Sequence, residues 1–218
     1  QSNEIEEENT TGETTIEMLD SLTMGLCNYD TMNPLLTNNK EIINMSKIIF
    51  EPLLNITADY KLEYCLAKSC TKTDDLTYEI KLDTSIKWQD GTSLIARDVS
   101  FTIDRLKERN TVYSANVADV ASVETPDTET VIIHLSKPVN FFEYNLTFPI
   151  LSSMYYVNEN FETTNKIPIG TGMYKIASID DNTILLTRND RWRYIKEKTP
   201  KAQSISIKRY GTMGEIYN

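Results

Sequence analysis

Residues 86–99 read IKWQDGTSLIARDV and join the end of one predicted element to the start of the next. Upstream, Tyr78, Ile80 and Leu82 alternate with polar residues, which is the two-residue period of a strand with one buried face. Asp90-Gly91 then supplies a turn, because glycine tolerates positive φ and aspartate bonds its own neighbouring backbone. The stretch therefore predicts a strand followed by a tight turn.

An amphipathic helix is predicted directly after this turn. Val99, Ile103 and Leu106 fall on one helical face, with Thr102 between them. We expect the helix to run from Ala96 to about residue 107. Its buried face would pack on the strand that precedes it.

The same stretch resembles the W-x-D-G-x-x-x-x-A-x-D-V-x-F-T signature of family 5 extracellular solute-binding proteins, the peptide- and nickel-binding receptors of ABC importers. All eight signature positions match, namely Trp88, Asp90, Gly91, Ala96, Asp98, Val99, Phe101 and Thr102. Ile95 stands where relatives carry a capping Thr, so the helix is expected without that side-chain cap. We interpret the signature as structural rather than as a ligand contact.

Length and charge limit the classes of function. The chain has 218 residues, enough for one large domain or two modest ones, and a net charge of −10. This charge argues against a nucleic-acid partner, since phosphate binding needs clustered Lys and Arg. No window approaches the roughly 20 consecutive apolar residues of a membrane span.

The first 14 residues are acidic and show no periodic pattern, so we predict that residues 1–14 form a disordered spacer. The sequence contains no signal peptide. The resemblance implies that a secretion signal, with a lipid-bearing Cys in Gram-positive members, would precede residue 1. We therefore expect an extracytoplasmic protein, either a cell-surface lipoprotein or a periplasmic one.

Two cysteine arrangements are open. Cys27, Cys65 and Cys70 fit neither a disulfide framework nor a zinc site. Cys65 and Cys70 would pair only if residues 66–69 turned suitably, and three buried free thiols are the alternative that we favour.

The first candidate site follows a predicted strand at residues 21–27, where Leu22, Met24 and Leu26 alternate with other residues. The loop after it resembles the family's D-x-L-N-P, with Met in the Leu position. In relatives the end of this strand lies along the ligand cleft, where peptide backbones add as an extra strand. The resemblance implies that the ligand-binding residues include Tyr29, Asp30 and Asn33. Alternatively, Asn33 merely shapes a turn with the proline that follows it.

Residues 111–115 are similar to the S-P-Y-A segment of peptide binders, in which a Tyr can line the cleft. Tyr113 is therefore the fourth ligand-binding candidate. His134 is the only histidine, and a lone His on a strand is usually a surface or packing residue, so we expect no metal site and no cofactor. The sequence has no G-x-S-x-G or H-E-x-x-H motif, so we predict that the protein is not an enzyme.

Three further segments carry structural expectations. A helix is predicted over residues 41–50 and ended by Pro52. The aromatic-rich segment 141–151 is expected to pack in a core. Residues 169–175, IGTGMYK, resemble the family's G-T-G-P-Y-K, and Lys175 at the third glycine position rules out a dinucleotide fingerprint. We expect these glycines to permit close backbone approach where the chain crosses between subdomains.

The resemblance implies a mixed α/β protein with the periplasmic-binding-protein-like type II fold, first lobe only. Residues 15–48 plus 168–218 would form the first part of the ligand-binding lobe, a discontinuous domain, and residues 49–167 an inserted subdomain. Relatives continue through a second lobe, so we expect this chain to carry only part of the cleft and to bind peptide weakly if at all.

The function implied is the extracytoplasmic substrate-binding component of an ABC transporter. Its expected partners are an oligopeptide ligand and a membrane permease, and it is expected to be a monomer. Two alternatives are a nickel, opine or sugar receptor of the same family and a stand-alone interaction module with half of the receptor fold.

Overall fold

The computed structural model describes residues 19–27 and 29–216, so the predicted spacer lies outside the described residues. In chain order, its helices are α1 (Lys40–Ser46), α2 (Ala96–Lys107) and α3 (Met213–Ile216). Its strands are β1 (Leu19–Cys27), β2 (Leu54–Ile56), β3 (Leu62–Tyr64), β4 (Ala67–Asp74), β5 (Thr77–Leu82), β6 (Val120–Glu124), β7 (Thr130–Leu135), β8 (Tyr174–Ile179), β9 (Thr183–Arg188) and β10 (Ala202–Tyr210). No helix among the described residues is long and apolar enough to cross a membrane.

The first sheet pairs the first and the last of the described strands. Its strand order is β1-β10-β9-β8, with β1 parallel to β10 and the other pairs antiparallel. Leu19 lies opposite Ala202, and Cys27 opposite Tyr210. The predicted strand over residues 21–27 is confirmed, but its apolar residues do not form a buried face: Leu22 and Met24 are exposed, and only Leu26 is buried.

The second sheet is antiparallel, with order β4-β5-β7-β6, and α2 packs against β7. The predicted alternation holds in β5, where Tyr78, Ile80 and Leu82 are buried. The helix also spans the predicted residues and buries Val99, Ile103 and Leu106. The alternating apolar residues of β5 and the apolar face of α2 thus belong to one buried core.

Gly170 and Gly172 cross directly over residues 48 and 49, as the sequence predicts. A Cβ on Gly170 would lie 1.9 Å from the Ile49 carbonyl oxygen, and one on Gly172 would lie 2.6 Å from that of Ile48. The close approach allows Gly172 N to donate to Ile49 O at 2.9 Å and Tyr174 N to donate to Ile48 O at 3.0 Å. Only glycine fits at these two positions.

The predicted extent of the first helix is wrong. The helix ends at Ser46 rather than continuing to Phe50, and the backbone then turns through residues 47–49. The reason is non-local, because the carbonyls of Ile48 and Ile49 accept hydrogen bonds from the glycine-rich crossing. Pro52 instead forms an isolated bridge with Pro149.

The prediction that the aromatic segment packs in a core is half wrong. Phe142 and Phe148 are fully buried, whereas Phe141 is 73% exposed and Tyr144 37% exposed. Phe141 has a left-handed backbone with φ of 56°, and a 3-10 turn follows it. This turn directs Phe142 inward and leaves Phe141 in solvent.

The three cysteines are free, and the possible bridge between Cys65 and Cys70 is not formed. Cys65 is buried, but Cys27 and Cys70 are only partly buried, so the expectation of three buried thiols holds for one of them. Burial, reinforced by the charge of Glu51, raises the pKa of the Cys65 thiol to about 12.

Candidate functional site

An open groove of about 640 Å³ lies where β1 ends. Three backbone segments and one strand border it: the loop after β1, residues 156–168, residues 179–181 and the end of β10. The parallel pairing of β1 with β10 explains this meeting, because the carboxyl ends of both strands reach the same edge of the sheet. Two of the four predicted site residues, Tyr29 and Asn33, line this groove.

Tyr29 is held by a cation from β10. The guanidinium carbon of Arg209 lies 4.6 Å from the centre of the Tyr29 ring, within the range of a cation–π contact. Arg209 Nη1 donates to the carbonyl oxygen of Asp181 at 3.0 Å, which fixes the guanidinium over the ring. The pair therefore presents an oriented aromatic face and a positive charge in one wall.

Asp30 does not line the groove and instead orders its own loop. Its carboxylate accepts hydrogen bonds from Thr37 Oγ1 at 2.5 Å, Asn38 N at 2.8 Å and Thr31 N at 2.7 Å. Partial burial acts to raise the pKa of Asp30, but these hydrogen bonds outweigh it and lower the pKa. The charged Asp30 carboxylate thus stabilises the conformation of the segment that precedes α1.

Asn33 shapes the turn in this loop. Its side-chain oxygen accepts from Leu35 N at 3.0 Å, and its backbone oxygen accepts from Leu36 N and Thr37 N, both at 3.1 Å. The residue is only 6% exposed. This geometry agrees with the alternative in which Asn33 shapes a turn. Asn33 also lies in the groove wall, and its contact with a ligand stays a prediction.

Tyr113 lies elsewhere. It borders a separate pocket of about 300 Å³ together with Lys47, Phe50 and Pro149, and it does not line the groove at the end of β1. Burial raises the pKa of its hydroxyl. The structure thus brings together Tyr29 and Asn33 but not Tyr113.

No sequence motif or periodic pattern points to several other residues of the groove. Lys166 reaches across the loop that carries it, with Nζ 2.9 Å from Glu159 Oε1 and 3.2 Å from Tyr155 O. Glu162 pairs with Arg109 of the segment after α2. Since these side chains come from distant segments without periodic patterns, only the folded chain brings them to the groove.

The groove offers aromatic, amide and charged side chains to a ligand. Among the described residues, no three His, Cys, Asp or Glu side chains converge as metal ligands. His134 lies on the second sheet, where its ring contacts Thr77 at 3.3 Å and Glu124 at 3.0 Å, which fits the predicted packing role. Within the described part of the chain, β1 pairs only with β10, and the groove begins at Tyr29, just beyond the carboxyl end of β1. An extended polar chain fits such a groove.

The chain matches one protein-family model over residues 61–212, described as bacterial extracellular solute-binding proteins, family 5 Middle. It is 35% identical over 161 residues to a Brucella ovis protein named as an ABC transporter peptide-binding protein, covering 66% of this chain and 29% of that protein. It is 31% identical over 184 residues to glutathione-binding protein GsiB of Escherichia coli O1:K1, covering 82% of this chain and 36% of GsiB. The chain thus spans about a third of the length of these relatives.

Among solved structures, the chain is similar to NikZ from Campylobacter jejuni in complex with Ni(L-His). The TM-score is 0.73 at 28% identity, and the match covers 88% of this chain and 39% of NikZ. The described sheets and helices therefore have the periplasmic-binding-protein-like type II fold, as predicted.

Proposed function

The chain belongs to the bacterial extracellular solute-binding proteins of family 5, and from this premise we propose that it forms part of a receptor that takes oligopeptides for an ABC importer in the membrane. Receptors of this family act outside the cytoplasm as binding proteins, not as enzymes. The ligand class is proposed from the names of the relatives, one peptide-binding and one glutathione-binding.

The observation that carries the proposal is the groove at the carboxyl ends of β1 and β10, where Tyr29 and Arg209 form part of one wall. An extended peptide lying in this groove would gain backbone hydrogen bonds that do not depend on its side chains. The groove is wide and lined by both charged and aromatic residues. Such a site favours affinity that tolerates many peptide sequences.

Arg209 is the proposed polar anchor. A guanidinium has five N–H donors, and the contact of Arg209 with Asp181 uses Nη1. Its other donors would meet a peptide carbonyl or a terminal carboxylate, while Tyr29 packs along the peptide backbone. We assign the ligand contacts to Tyr29, Asn33 and Arg209, with Asp30 as a residue that orders the loop.

The division into a discontinuous domain, residues 15–48 plus 168–218, and an inserted subdomain, residues 49–167, is also part of this proposal. It is supported by the two separate four-stranded sheets and by the glycine crossing at residues 48–49 and 170–174. Partition of the native protein into detergent tests whether it is a cell-surface lipoprotein or a periplasmic protein. Light scattering tests whether the protein is a monomer.

The test of ligand class is titration of the chain with a mixed tripeptide pool, followed by backbone amide NMR. We expect shifts confined to the loop after β1, residues 156–168 and the end of β10. We expect dissociation constants weaker than about 1 μM, because an open groove covers only part of an extended ligand. Saturation by a nickel–histidine complex but not by peptides would replace the peptide proposal with a nickel one.

Two variants sharpen this test. Arg209→Gln should weaken peptide binding about tenfold, about 1.4 kcal/mol. Lys208→Gln is its matched control, since Lys208 is an exposed cation at the neighbouring position of the same strand. Equal losses in both variants would show a general charge effect and would overturn the role given to Arg209.

A further inference from the structure

A second groove, of about 410 Å³, lies on the second sheet. Its wall is built from β2, β3, β4 and β5, closed on one side by residues 139–143. It shares no lining residue with the groove at the end of β1. A ligand that it holds would therefore contact different residues from those of the proposed peptide site.

Strained backbone lies in the wall of this second groove at Phe141 and beside the groove at Tyr60. Among the described residues, Tyr60 and Phe141 are the two non-glycine residues with positive φ, at 62° and 56°. They lie together, because Tyr144 Oη donates to Tyr60 O at 3.3 Å and the rings of Phe141 and Tyr144 meet edge to face at 6.3 Å. Bulky residues rarely adopt this conformation, which concentrates at binding sites.

Aromatic surface is exposed in the lining of this groove. Phe141 is 73% exposed and Tyr64, on β3, is 56% exposed. The lining also contains the buried side chains of Leu54 and Tyr78. The groove therefore offers two exposed aromatic rings together with buried apolar surface.

Glu143 supplies the charge. Its carboxylate lines the groove and forms no hydrogen bond or ion pair with another described residue. Cys70 and Tyr78 line the same groove, and the negative charge of Glu143 adds to burial in raising the pKa of both groups. The one cation of the lining, Lys72, is already paired with Asp75 at 2.9 Å. The unpaired charge in the groove is thus negative.

We propose that this second groove binds an organic cation, an alkylammonium group whose charge meets Glu143 and whose methylenes or methyls lie against Tyr64 and Phe141. Aromatic faces attract such cations through their electron-rich surfaces, and a nearby carboxylate adds to the attraction. A bare metal ion is a poor fit, since metals need several convergent ligands and the groove offers one carboxylate. The net charge of −10 further favours a cationic ligand.

The proposal is tested by titrating the chain with choline chloride and, separately, with 3,3-dimethylbutan-1-ol, a neutral molecule of nearly the same shape. Sodium chloride at matched ionic strength corrects for screening. We expect choline to shift the amide resonances of residues 139–143 and to bind at least about tenfold more tightly than the neutral analogue. Equal binding of the two molecules, or shifts only at the end of β1, would overturn the proposal.

Variants identify the groups responsible. Glu143→Gln should abolish the preference for choline over the neutral analogue, whereas Glu129→Gln should leave it unchanged, because Glu129 is an exposed acid outside the groove. Retention of the preference in Glu143→Gln would refute the role of the carboxylate.

Phe141→Gly separates binding from folding. Glycine tolerates the positive φ, and the lost ring is mostly in solvent, so we expect the melting temperature to stay within a few degrees of the parent. Choline affinity should fall about fivefold. A large drop in melting temperature without loss of affinity would assign Phe141 to packing and contradict the proposal.

Discussion

The indole Nε1 of Trp88 donates a hydrogen bond to Oδ2 of the buried Asp98 carboxylate at 3.1 Å. The same carboxylate accepts from Ile95 N at 3.0 Å and from both the backbone N and the Oγ of Ser153 at 2.8 Å. Asp98 therefore joins the turn, the start of α2 and the segment after residue 150. It also caps the helix that Ile95 cannot cap with its own side chain.

We expect Asp98→Asn to destabilise the protein. The amide NH₂ cannot accept, so at least one of the four donors loses its partner, at a cost of about 1–3 kcal/mol for each buried unsatisfied group. Urea unfolding followed by Trp fluorescence measures the change. Asp104→Asn, on the exposed face of the same helix, is the control and should change stability by less than about 0.5 kcal/mol.

A second prediction concerns the ion pair between Glu51 and Arg193, whose Oε2 and Nη1 lie 2.6 Å apart. Both side chains are largely buried, and Thr171 also donates a hydrogen bond to Glu51. The ion pair therefore connects the segment just after residues 48–49 to the segment that follows β9. Glu51→Gln should cost about 3–5 kcal/mol, because it leaves a buried guanidinium unpaired.

The matched control for this pair is Glu63→Gln, which removes an exposed carboxylate from β3. A double-mutant cycle with Arg193→Met isolates the coupling between the two side chains. Strict additivity of the two single changes in chemical denaturation would show that the pair contributes no mutual stabilisation.

Gly170→Ala is expected to be among the most damaging single-methyl additions in the chain. Its Cβ would meet a backbone oxygen at 1.9 Å, and no side-chain rotation relieves that contact. We expect a loss of at least about 3 kcal/mol, or no soluble folded protein. Gly214→Ala meets nothing closer than 3.9 Å and should leave the melting temperature unchanged or raise it.

Alkaline pH should weaken the fold. The pKa values of Cys65 and Cys70 are raised from the ordinary 9.0 to about 12 and about 11. Their stabilising contribution is complete below pH 9 and declines as pH rises toward these folded values, because the unfolded chain releases its thiol protons first. The free energy of unfolding should therefore fall between pH 9 and 11.

The raised pKa of Tyr156, caused by burial, acts in the same direction above pH 10. Urea titrations at several pH values measure the slope, and Cys70→Ala should make it shallower. A stability that rises between pH 9 and 10.5 would contradict this account.

The sequence could predict what local patterns decide. The alternation in β5, the turn at Asp90-Gly91 and the period of α2 specify their structure within a few residues of chain. By contrast, β4 was not predicted, because its sequence AKSCTKTD has no apolar alternation and forms a strand only by pairing with β5. The early end of α1 depends on Gly172, far along the chain.

The candidate site, too, is predicted by the sequence only where a local motif points to it. The loop motif that follows β1 points to Tyr29 and Asn33. Arg209, which contacts the Tyr29 ring, lies in β10, the last of the described strands. No spacing in the sequence links Tyr29 to Arg209, and only the parallel pairing of β1 with β10 brings them together. Tyr113 matched a short motif, and its burial against other residues places it in a different pocket.

The parallel pairing of β1 with β10 also determines the order in which the protein can fold. β1 is the first and β10 the last of the described strands to leave the ribosome, so the backbone of β1 must stay unpaired with β10 while everything between them is made. The second sheet is closed by neighbouring segments and can form during synthesis. The first sheet has high contact order and must wait for a long loop to close, which makes its assembly the slow step.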